Sequence, residues 1–290
     1  MKFRFIDQER RWYRLDSLGK VMGVTRGGYW AWVKRKPSAR DLANVGLLKD
    51  IRRIHAAKRG VYGSPRIHDP LQKEGISRGK KRVERLKRQN GIRATSGAKF
   101  RPATTDSARD LPVAPNILDR RFEWDRPNAA WVADTTYIPT QEGWLYLAVI
   151  LDLFSRRVIG WAMGPNNDRH LVVRALRMAI QGRRPPPGLI HHSDRGSTYA
   201  SEDYRKELAA HGLVSSMSRK GCCYDNAPME SWFHTVKVEL IGGYVFETHR
   251  EAITSIFEYM EVFYNRQRGH TSIGGFSPAE IEELDLKRSA

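Results

Sequence analysis

The sequence predicts an α/β domain with a mixed sheet, preceded by an all-α region rich in basic residues. Three strand-like runs follow one another from about residue 130, and helical and strand-like patterns then alternate to the C-terminal part of the chain. This order is typical of a layered α/β domain, because helices between strands allow parallel pairing. Before residue 95, apolar residues recur every three to four positions instead, which is helical spacing.

The excess positive charge lies in the first part of the chain. Residues 1–120 hold 30 Lys and Arg against 11 Asp and Glu, a net charge of +19, whereas residues 121–290 hold 20 against 21. This asymmetry favours a nucleic-acid partner, since each neutralised phosphate releases counterions. A solubilising basic surface is the alternative.

Several classes of protein are excluded. No run of about 18 apolar residues and no secretory signal is present, so we expect a cytoplasmic protein with no membrane partner. The adjacent Cys222 and Cys223 are the only cysteines and cannot form a disulfide framework or a four-ligand zinc site. No phosphate-binding loop of the GxxxxGK[ST] type occurs, so no ATP requirement is implied.

Residues 1–40 are expected to form an N-terminal helix-turn-helix. The sequence predicts a short helix, a turn at Gly23-Val24 and a second helix capped by Thr25, which is the order of elements in this motif. Arg26 begins the second helix and is a candidate DNA contact. Gly27 and Gly28 weaken the helix if they lie inside it.

Residues 41–94 are expected to form a second helix-turn-helix-like unit. Helices are predicted over 43–58, from a Ser64-Pro65 N-cap, and over 80–89, with Pro70 shortening or kinking the middle one. In the third helix Val83 and Leu86 would face inward, and a basic face would meet DNA phosphates or remain solvated: Lys80, Lys81, Arg82, Arg85 and Arg88. Residues 95–127 are predicted to be a linker, because 95–115 is rich in Thr, Ser, Ala and Pro without periodicity.

Residues 128–290 are expected to form the α/β domain. The five strands are predicted at 131–138, 144–151, 157–163, 188–192 and 214–218. Helices are predicted over about 169–182, after Ser201, over about 229–241, and over 249–265 from a Thr248/Glu251 capping box. Two helices are thus expected to finish the domain.

Three carboxylates are candidate catalytic residues. Asp134 lies within the first strand, where a charge is costly unless it is paired or bound to metal. Asp194 directly follows a short apolar strand, at a position where sites gather in α/β sheets. Glu230 lies in the first turn of a helix. Taken singly each could be structural, as Asp225 and Asp152 are expected to be in turns or caps.

Carboxylate oxygens of this kind suit Mg²⁺ or Mn²⁺ rather than zinc. Phosphodiester chemistry uses two such ions, one to activate the attacking hydroxyl and one to stabilise the leaving oxygen. We therefore expect two ions per active site if the three carboxylates converge.

The order and spacing of the motifs resemble an insertion-sequence transposase, the OrfB protein of the IS-three type in the retroviral-integrase superfamily. Asp194 and Glu230 are separated by 35 residues, and Lys237 lies seven beyond the glutamate. The other matching motifs are Trp131-x-x-Asp134-x-Thr136-Tyr137, His192-Ser-Asp-Arg-Gly, Asp225-Asn-Ala-x-x-Glu230 and Tyr264-Asn-x-x-Arg268-x-His270. The upstream motifs are Gly23-Val-Thr-Arg-x-Gly-Tyr29, Tyr62-Gly-Ser-Pro-Arg-Ile67 and Arg82-Val-x-Arg-Leu86. The resemblance covers nearly the whole chain.

The resemblance implies an RNase-H-like (retroviral integrase) catalytic domain with Asp134, Asp194 and Glu230 as catalytic metal ligands. It implies cleavage at the ends of the element to give a 3′-hydroxyl, followed by strand transfer into target double-stranded DNA. Lys237 would contact DNA near the site. It also implies a possible upstream helix-turn-helix and leucine-zipper protein, or a fusion to it. Handling two DNA ends favours a homo-oligomer on DNA.

Pro70, Gly27 and Gly79 depart from the family pattern in the N-terminal region. Arg66 and Arg268 are further candidate DNA contacts, although Arg268 could instead cap the last long helix. His192 and Asn226 are candidates to support the ligand carboxylates, although a structural role for His192 is equally open. The alternative function is a domesticated, sequence-specific DNA-binding regulator without catalysis; a stand-alone nuclease is a third. The complete acidic triad favours the transposase.

Overall fold

The structure, a computed structural model, describes residues 1–95 and 112–289. Helices precede the sheet: α1 (Lys2–Glu9), α2 (Leu15–Met22), α3 (Arg26–Val33), α4 (Ala39–Ala57), α5 (Ser64–Lys73) and α6 (Lys80–Gln89). Throughout residues 1–95 and 112–289, no helix is long and apolar enough to cross a membrane.

The N-terminal helix-turn-helix has the expected turn. Gly23 ends α2 in the left-handed conformation, with φ 60°, and the Thr25 side chain accepts a hydrogen bond from the Gly28 amide at the start of α3. The sequence did not predict α1, which contributes Ile6 to a small separate core with Leu18 and Tyr29.

The second helical unit begins at a capping box in which Ser38 and Asp41 exchange hydrogen bonds. The expected N-cap of α5 was wrong by one residue: Gly63 is the N-cap, and Ser64 lies within the first turn. Pro70 lies inside α5, which ends three residues later. The apolar residues of α4, α5 and α6 belong to the same buried cluster as one face of the sheet, so this unit packs directly on the α/β domain.

The sheet has five strands: β1 (Ala130–Thr140), β2 (Gly143–Asp152), β3 (Val158–Gly164), β4 (Ile190–Ser193) and β5 (Val214–Met217). Their order is β3-β2-β1-β4-β5. Strands β1, β2 and β3 pair antiparallel, whereas β4 pairs parallel with β1 and with β5. The prediction of a mixed five-stranded sheet is therefore confirmed.

Helices cover both faces of the sheet. Trp131, Ala148 and Ile150 pack towards α7 (Arg169–Arg183) and α8 (Glu202–Ala210). The alternate residues, such as Val132 and Val149, pack in the cluster that also holds residues of α9 and α10. This alternation is the two-residue period of a sheet that is buried on both sides.

The C-terminal helices change geometry along their length. Helix α9 (Ala227–Val236) continues as a π-helical segment, Lys237–Ile241, and α10 (His249–Phe257) continues as another, Glu258–Tyr264, before the short α11 (Asn265–Gln267). The expectation that two helices finish the domain was wrong, because α12 (Pro278–Ser289) follows. Its Glu282 is buried and accepts hydrogen bonds from Arg183, Arg157 and Ser155, which fixes this helix to the domain.

About half of the predicted linker, residues 96–111 of 95–127, lies outside the described residues. Residues 112–127 have no helix or strand, yet they are anchored to the sheet. The amides of Ile117 and Leu118 both donate to Ser216 Oγ on β5, and Leu118 is buried. This stretch therefore belongs structurally to the α/β domain.

Candidate active site

Asp134 and Asp194 lie level with each other at the end of the β1–β4 ladder. The parallel register pairs Ala130 with Ile190 and Val132 with His192, so two further residues along each strand lead to Asp134 and Asp194. Adjacent strands are about 4.8 Å apart, and residues two apart project to the same face. Because β4 ends at Ser193, the part of β1 beyond this point has no β4 residues paired to it.

Local hydrogen bonds hold both aspartates. The Asp134 Oδ1 atom accepts from the Thr135 amide at 2.7 Å. The Asp194 Oδ1 atom accepts from the Gly196 amide at 2.9 Å. A Cβ atom on Gly196 would lie 2.9 Å from that same oxygen, so glycine is needed for this turn.

Glu230 reaches the site because α9 packs on β1. Met229 and Trp232 on either side of it are buried in the core, which directs the intervening positions away from the core. The loop before α9 is held against β1 by Asn226, whose Nδ2 donates to the Ala133 carbonyl at 3.1 Å. Asn226 therefore supports the backbone next to Asp134, as a residue that positions a ligand would.

Asp225 is a buried anchor rather than a simple turn residue. Its carboxylate is fully buried and accepts hydrogen bonds from Arg219, Arg120 and Asn116. The hydrogen bonds from Arg219 hold the pKa of Asp225 far below its usual range, against the opposing effect of burial. The ionised carboxylate thus ties the start of α9 to the stretch 112–127. The expected turn-forming role of Asp152 is confirmed, because its Oδ1 accepts from the Phe154 and Ser155 amides.

The three candidate carboxylates share one electrostatic environment. Burial raises the pKa of Asp134 well above its usual value, and the charge of Asp194 and then that of Glu230 raise it further. The Thr135 amide and the Lys237 ammonium act in the opposite direction. Both other acids therefore lie within electrostatic reach of Asp134.

The donor set fits a hard divalent cation, but the ligands are not assembled. A bound cation would stabilise the ionised form of a carboxyl such as Asp134, whose pKa is raised by two acidic neighbours. Across residues 1–95 and 112–289, however, no three His, Cys, Asp or Glu side chains are grouped so as to hold a metal ion. The three carboxylates are thus close together but do not form a complete coordination site.

Lys237 lies within electrostatic reach of Asp134. Burial lowers the pKa of Lys237, while the charge of Asp134 raises it. Its Nζ atom lies 5.1 Å from the centre of the Tyr137 ring. The sequence singled out Tyr137 only as part of a motif, and the structure adds this contact.

His192 does not occupy the supporting position expected of it. Its Nδ1 lies 2.8 Å from Ser216 Oγ and its Nε2 lies 3.1 Å from Ser218 Oγ. Both ring nitrogens are thus engaged by serines, and the ring is fully buried. Burial lowers the pKa of His192 to about 4, so it is a neutral structural histidine that joins β4 to the end of β5.

The expected DNA contacts of the helical region differ in exposure. Lys80 and Lys81 are exposed at the start of α6, and Arg85 is half-buried. Arg26 is exposed at the start of α3, with a weak ion pair to Asp16. Arg82 is partly buried, and its Nε donates to Asn44 at 2.9 Å, so it holds α6 against α4.

Arg66 and Arg268 both bind Glu239. Arg268 is buried and donates two hydrogen bonds to the Glu239 carboxylate, and Arg66 Nη1 lies 3.3 Å from the same carboxylate. A buried guanidinium paired in this way is unable to reach a DNA backbone, so the expectation for Arg268 was wrong. Glu239 was not predicted from the sequence, since nothing in its local pattern distinguishes it from a surface glutamate.

Family models match most of the described chain. An HTH-like domain matches residues 42–100, and an integrase core domain matches residues 125–223 and, through a second model, residues 230–286. With the mixed sheet and the paired aspartates, these matches define an integrase-core protein of the RNase-H-like fold.

Two bacterial relatives match almost end to end. The transposase InsF for insertion sequence IS3A of Escherichia coli strain K12 is 40% identical over 99% of this chain and 100% of its own length. The insertion element IS600 uncharacterized 31 kDa protein of Shigella sonnei is 48% identical over 91% and 97%. The chain therefore belongs to the IS3 family of insertion-sequence transposases.

Solved integrases are similar at lower identity. The HTLV-2 integrase catalytic core domain in complex with magnesium is 18% identical, with a TM-score of 0.44, over 54% of this chain and 97% of its own. A simian T-cell lymphotropic virus intasome chain is 14% identical, with a TM-score of 0.45, over 80% and 74%.

Proposed function

We propose that the protein cleaves the ends of its own insertion sequence to give 3′-hydroxyls and joins them to target DNA, with Asp134, Asp194 and Glu230 as the catalytic residues. The observation that carries the proposal is the level position of Asp134 and Asp194 on β1 and β4, with the charge of Glu230 acting on the same carboxyl. The family of the chain supports a polynucleotidyl transferase.

The three carboxylates would hold two Mg²⁺ or Mn²⁺ ions in each active site. When bound, such ions activate an attacking hydroxyl and stabilise a leaving phosphate oxygen. Because the side chains are not grouped as ligands, we expect binding to draw them together. Burial and the two acidic neighbours raise the pKa of Asp134, and the positive charge of a bound cation would lower it again, so that metal binding releases the proton.

Residues outside the triad bind and orient DNA in this proposal. Lys237 lies within electrostatic reach of Asp134 and would neutralise a phosphate next to the site. The exposed cations of the helical region, Arg26, Lys80 and Lys81, and the half-buried Arg85 would bind the terminal inverted repeats, in keeping with the net charge of +19 over residues 1–120.

Assembly is also part of the proposal. Cutting and joining two ends of one element requires two active sites to act together, so we expect a homo-oligomer on DNA. An upstream helix-turn-helix and leucine-zipper protein, or a fusion to it, would add further contacts to the ends. We expect the protein to act in the bacterial cytoplasm, where its DNA lies.

The test is a comparison of two isosteric changes. Full-length protein is incubated with Mg²⁺ and DNA that carries the inverted repeats flanking its gene, and cleavage and strand-transfer products are separated on a denaturing gel. Asp194→Asn should abolish both products while end binding is kept. Asp203→Asn, which changes a half-exposed acid on α8, should leave both unchanged. Normal cleavage by Asp194→Asn, or binding without cleavage by the unmodified protein, would refute the proposal, and the second result would favour a regulator.

A further inference from the structure

Two large aromatic side chains are exposed beside the candidate active site. Tyr137 on β1 is 39% exposed and Trp144 on β2 is 52% exposed. Their rings pack edge to face, with centroids 4.9 Å apart and an interplanar angle of 77°. They are diagonal neighbours in the antiparallel register, in which Tyr137 pairs with Tyr146 and Pro139 with Trp144.

The pair is close to the chemistry. Tyr137 lies three residues beyond Asp134 on β1, so the two side chains leave the strand on opposite faces. The link to the acidic site is Lys237, whose Nζ lies 5.1 Å from the centre of the Tyr137 ring and whose charge acts on Asp134. The surface formed by Tyr137, Trp144 and Lys237 therefore joins two aromatic rings to a cation at the edge of the acidic site. We call this surface the aromatic platform.

The platform is rigidly supported. Thr140 Oγ1 donates to the Gly143 carbonyl at 2.6 Å across the β1–β2 turn. The Gln141 amide donates to the Phe246 carbonyl at 2.8 Å, which ties the turn to the segment before α10. Leu145, the residue after Trp144, is buried in the core. The rings are therefore already held in place, and ligand binding costs little conformational entropy.

The chemistry of the platform matches unpaired DNA. Every nucleobase has a π-face that stacks on aromatic side chains, and the phosphate that follows a base is attracted to an ammonium group. A protein partner would equally bury the rings, but the neighbouring Lys237 and the continuity with the carboxylates favour a nucleotide over an apolar side chain.

We propose that Tyr137 and Trp144 stack on a nucleobase that has left the duplex at the end of the element, and so hold the adjacent scissile phosphate in the site. This inference rests on the proposed function and adds a subsite to it. Bringing a terminal phosphate to a recessed carboxylate cluster is easier when the last pairs open, and a stacking surface offsets the cost of opening them.

The experiment measures binding without turnover. All proteins carry Asp194→Asn, and binding of end DNA is followed with 2-aminopurine placed in turn at each of the last few positions. Trp144→Ala should weaken binding about tenfold and abolish the 2-aminopurine signal of a base that has left the duplex and stacked. Trp144→Phe should restore most of both. Phe257→Ala, which removes an exposed ring that contacts Trp161 near the edge strand β3, should change neither.

An abasic series identifies the base. On DNA that lacks the stacked base, Trp144→Ala should bind as the parent does, within about twofold. Equal weakening on intact and abasic DNA at every position, or an unchanged 2-aminopurine signal in Trp144→Ala, would overturn the platform while leaving the transposase reaction intact. Failure of the parent to bind end DNA would instead refute the proposed function, and the platform with it.

Discussion

Arg268 and Glu239 form a buried, two-pronged ion pair: Nε donates to Oε2 and Nη2 donates to Oε1, each at 2.8 Å. Tyr259 donates a third hydrogen bond to the same carboxylate, and Arg66 of α5 approaches it from the helical unit. Glu239 is two residues beyond Lys237, in the π-helical segment that continues α9. The pair therefore links the helix that carries Glu230 to the C-terminal segment and to the second helical unit.

Arg268→Ala should destabilise the protein by about 3–5 kcal/mol, because it leaves the Glu239 carboxylate buried without its main partner. Urea unfolding monitored by circular dichroism measures this change. Arg66→Ala removes a half-exposed partner of the same carboxylate and should cost about 1 kcal/mol or less. A loss below about 1 kcal/mol for Arg268→Ala would mean that the pair does not hold this region together.

Asp134→Asn should stabilise the metal-free protein while abolishing its activity. The pKa of Asp134 is raised by burial and by Asp194 and Glu230, so its contribution to stability is greatest when it is protonated and declines as pH rises through its titration. At pH 7 the neutral side-chain amide of the variant avoids the cost of burying a charged carboxylate beside two other acids. Its oxygen can still accept the hydrogen bond from the Thr135 backbone amide. We expect a gain on the order of 1 kcal/mol, or roughly 2–4 °C in Tm.

Added Mg²⁺ provides the control for that variant. A ligand that binds only the folded state raises Tm, so Mg²⁺ should stabilise the unmodified protein and have little effect on Asp134→Asn. Asp203→Asn should respond to Mg²⁺ as the unmodified protein does. A lower Tm for Asp134→Asn in the absence of metal would contradict the electrostatic account.

His191 should make the protein less stable in weak acid. Burial, and then the charge of His192, lower the pKa of His191 to about 3, whereas an unfolded histidine titrates near 6.5. Between these values the unfolded state binds the proton and the folded state does not. Stability is therefore complete above about pH 6.5 and declines as pH falls towards 3, by about 2 kcal/mol between pH 7 and pH 5.

His191→Gln should remove that part of the pH dependence. Glutamine does not titrate and can still bond to the Tyr204 hydroxyl, which lies 3.1 Å from His191 Nε2. Free energies of unfolding at pH 7 and pH 5 give the comparison, with the exposed His170→Gln as the matched change. An undiminished difference in His191→Gln would show that other groups set the acid response.

The sequence predicted the elements whose cause is local. The positions of strands β1 and β2, the Gly23 turn and the Thr25 cap each depend on residues within a few positions, and all of them appear in the structure. The proximity of Asp134 and Asp194 followed from the pattern of strand ends and from the family resemblance. It required the parallel β1–β4 register, which only the fold supplies.

What the sequence could not predict are partnerships between distant residues. Arg268 and Glu239 are 29 positions apart, and Asp225 and Arg120 are 105 apart. On composition alone each looks like a surface charge, because Arg and Glu are usually exposed. Trp144 presents the opposite case: a tryptophan at the start of a predicted strand is usually well buried, yet its position at the hairpin end leaves half of it exposed.

Gly160→Ala should destabilise the α/β domain by about 1–3 kcal/mol, because β3 and α7 approach too closely for a side chain. A Cβ atom at Gly160 would lie 2.7 Å from Ala179 Cβ and would also collide with the Ala175 carbonyl oxygen, so the helix must shift. Gly46→Ala offers the matched change, since Gly46 lies within α4 with no atom near its missing Cβ, and there alanine should stabilise by about 0.5–1 kcal/mol. Denaturant unfolding of the two variants should therefore shift in opposite directions. A shift of Gly160→Ala in the same direction as Gly46→Ala would mean that α7 does not pack on β3 as closely as the structure shows.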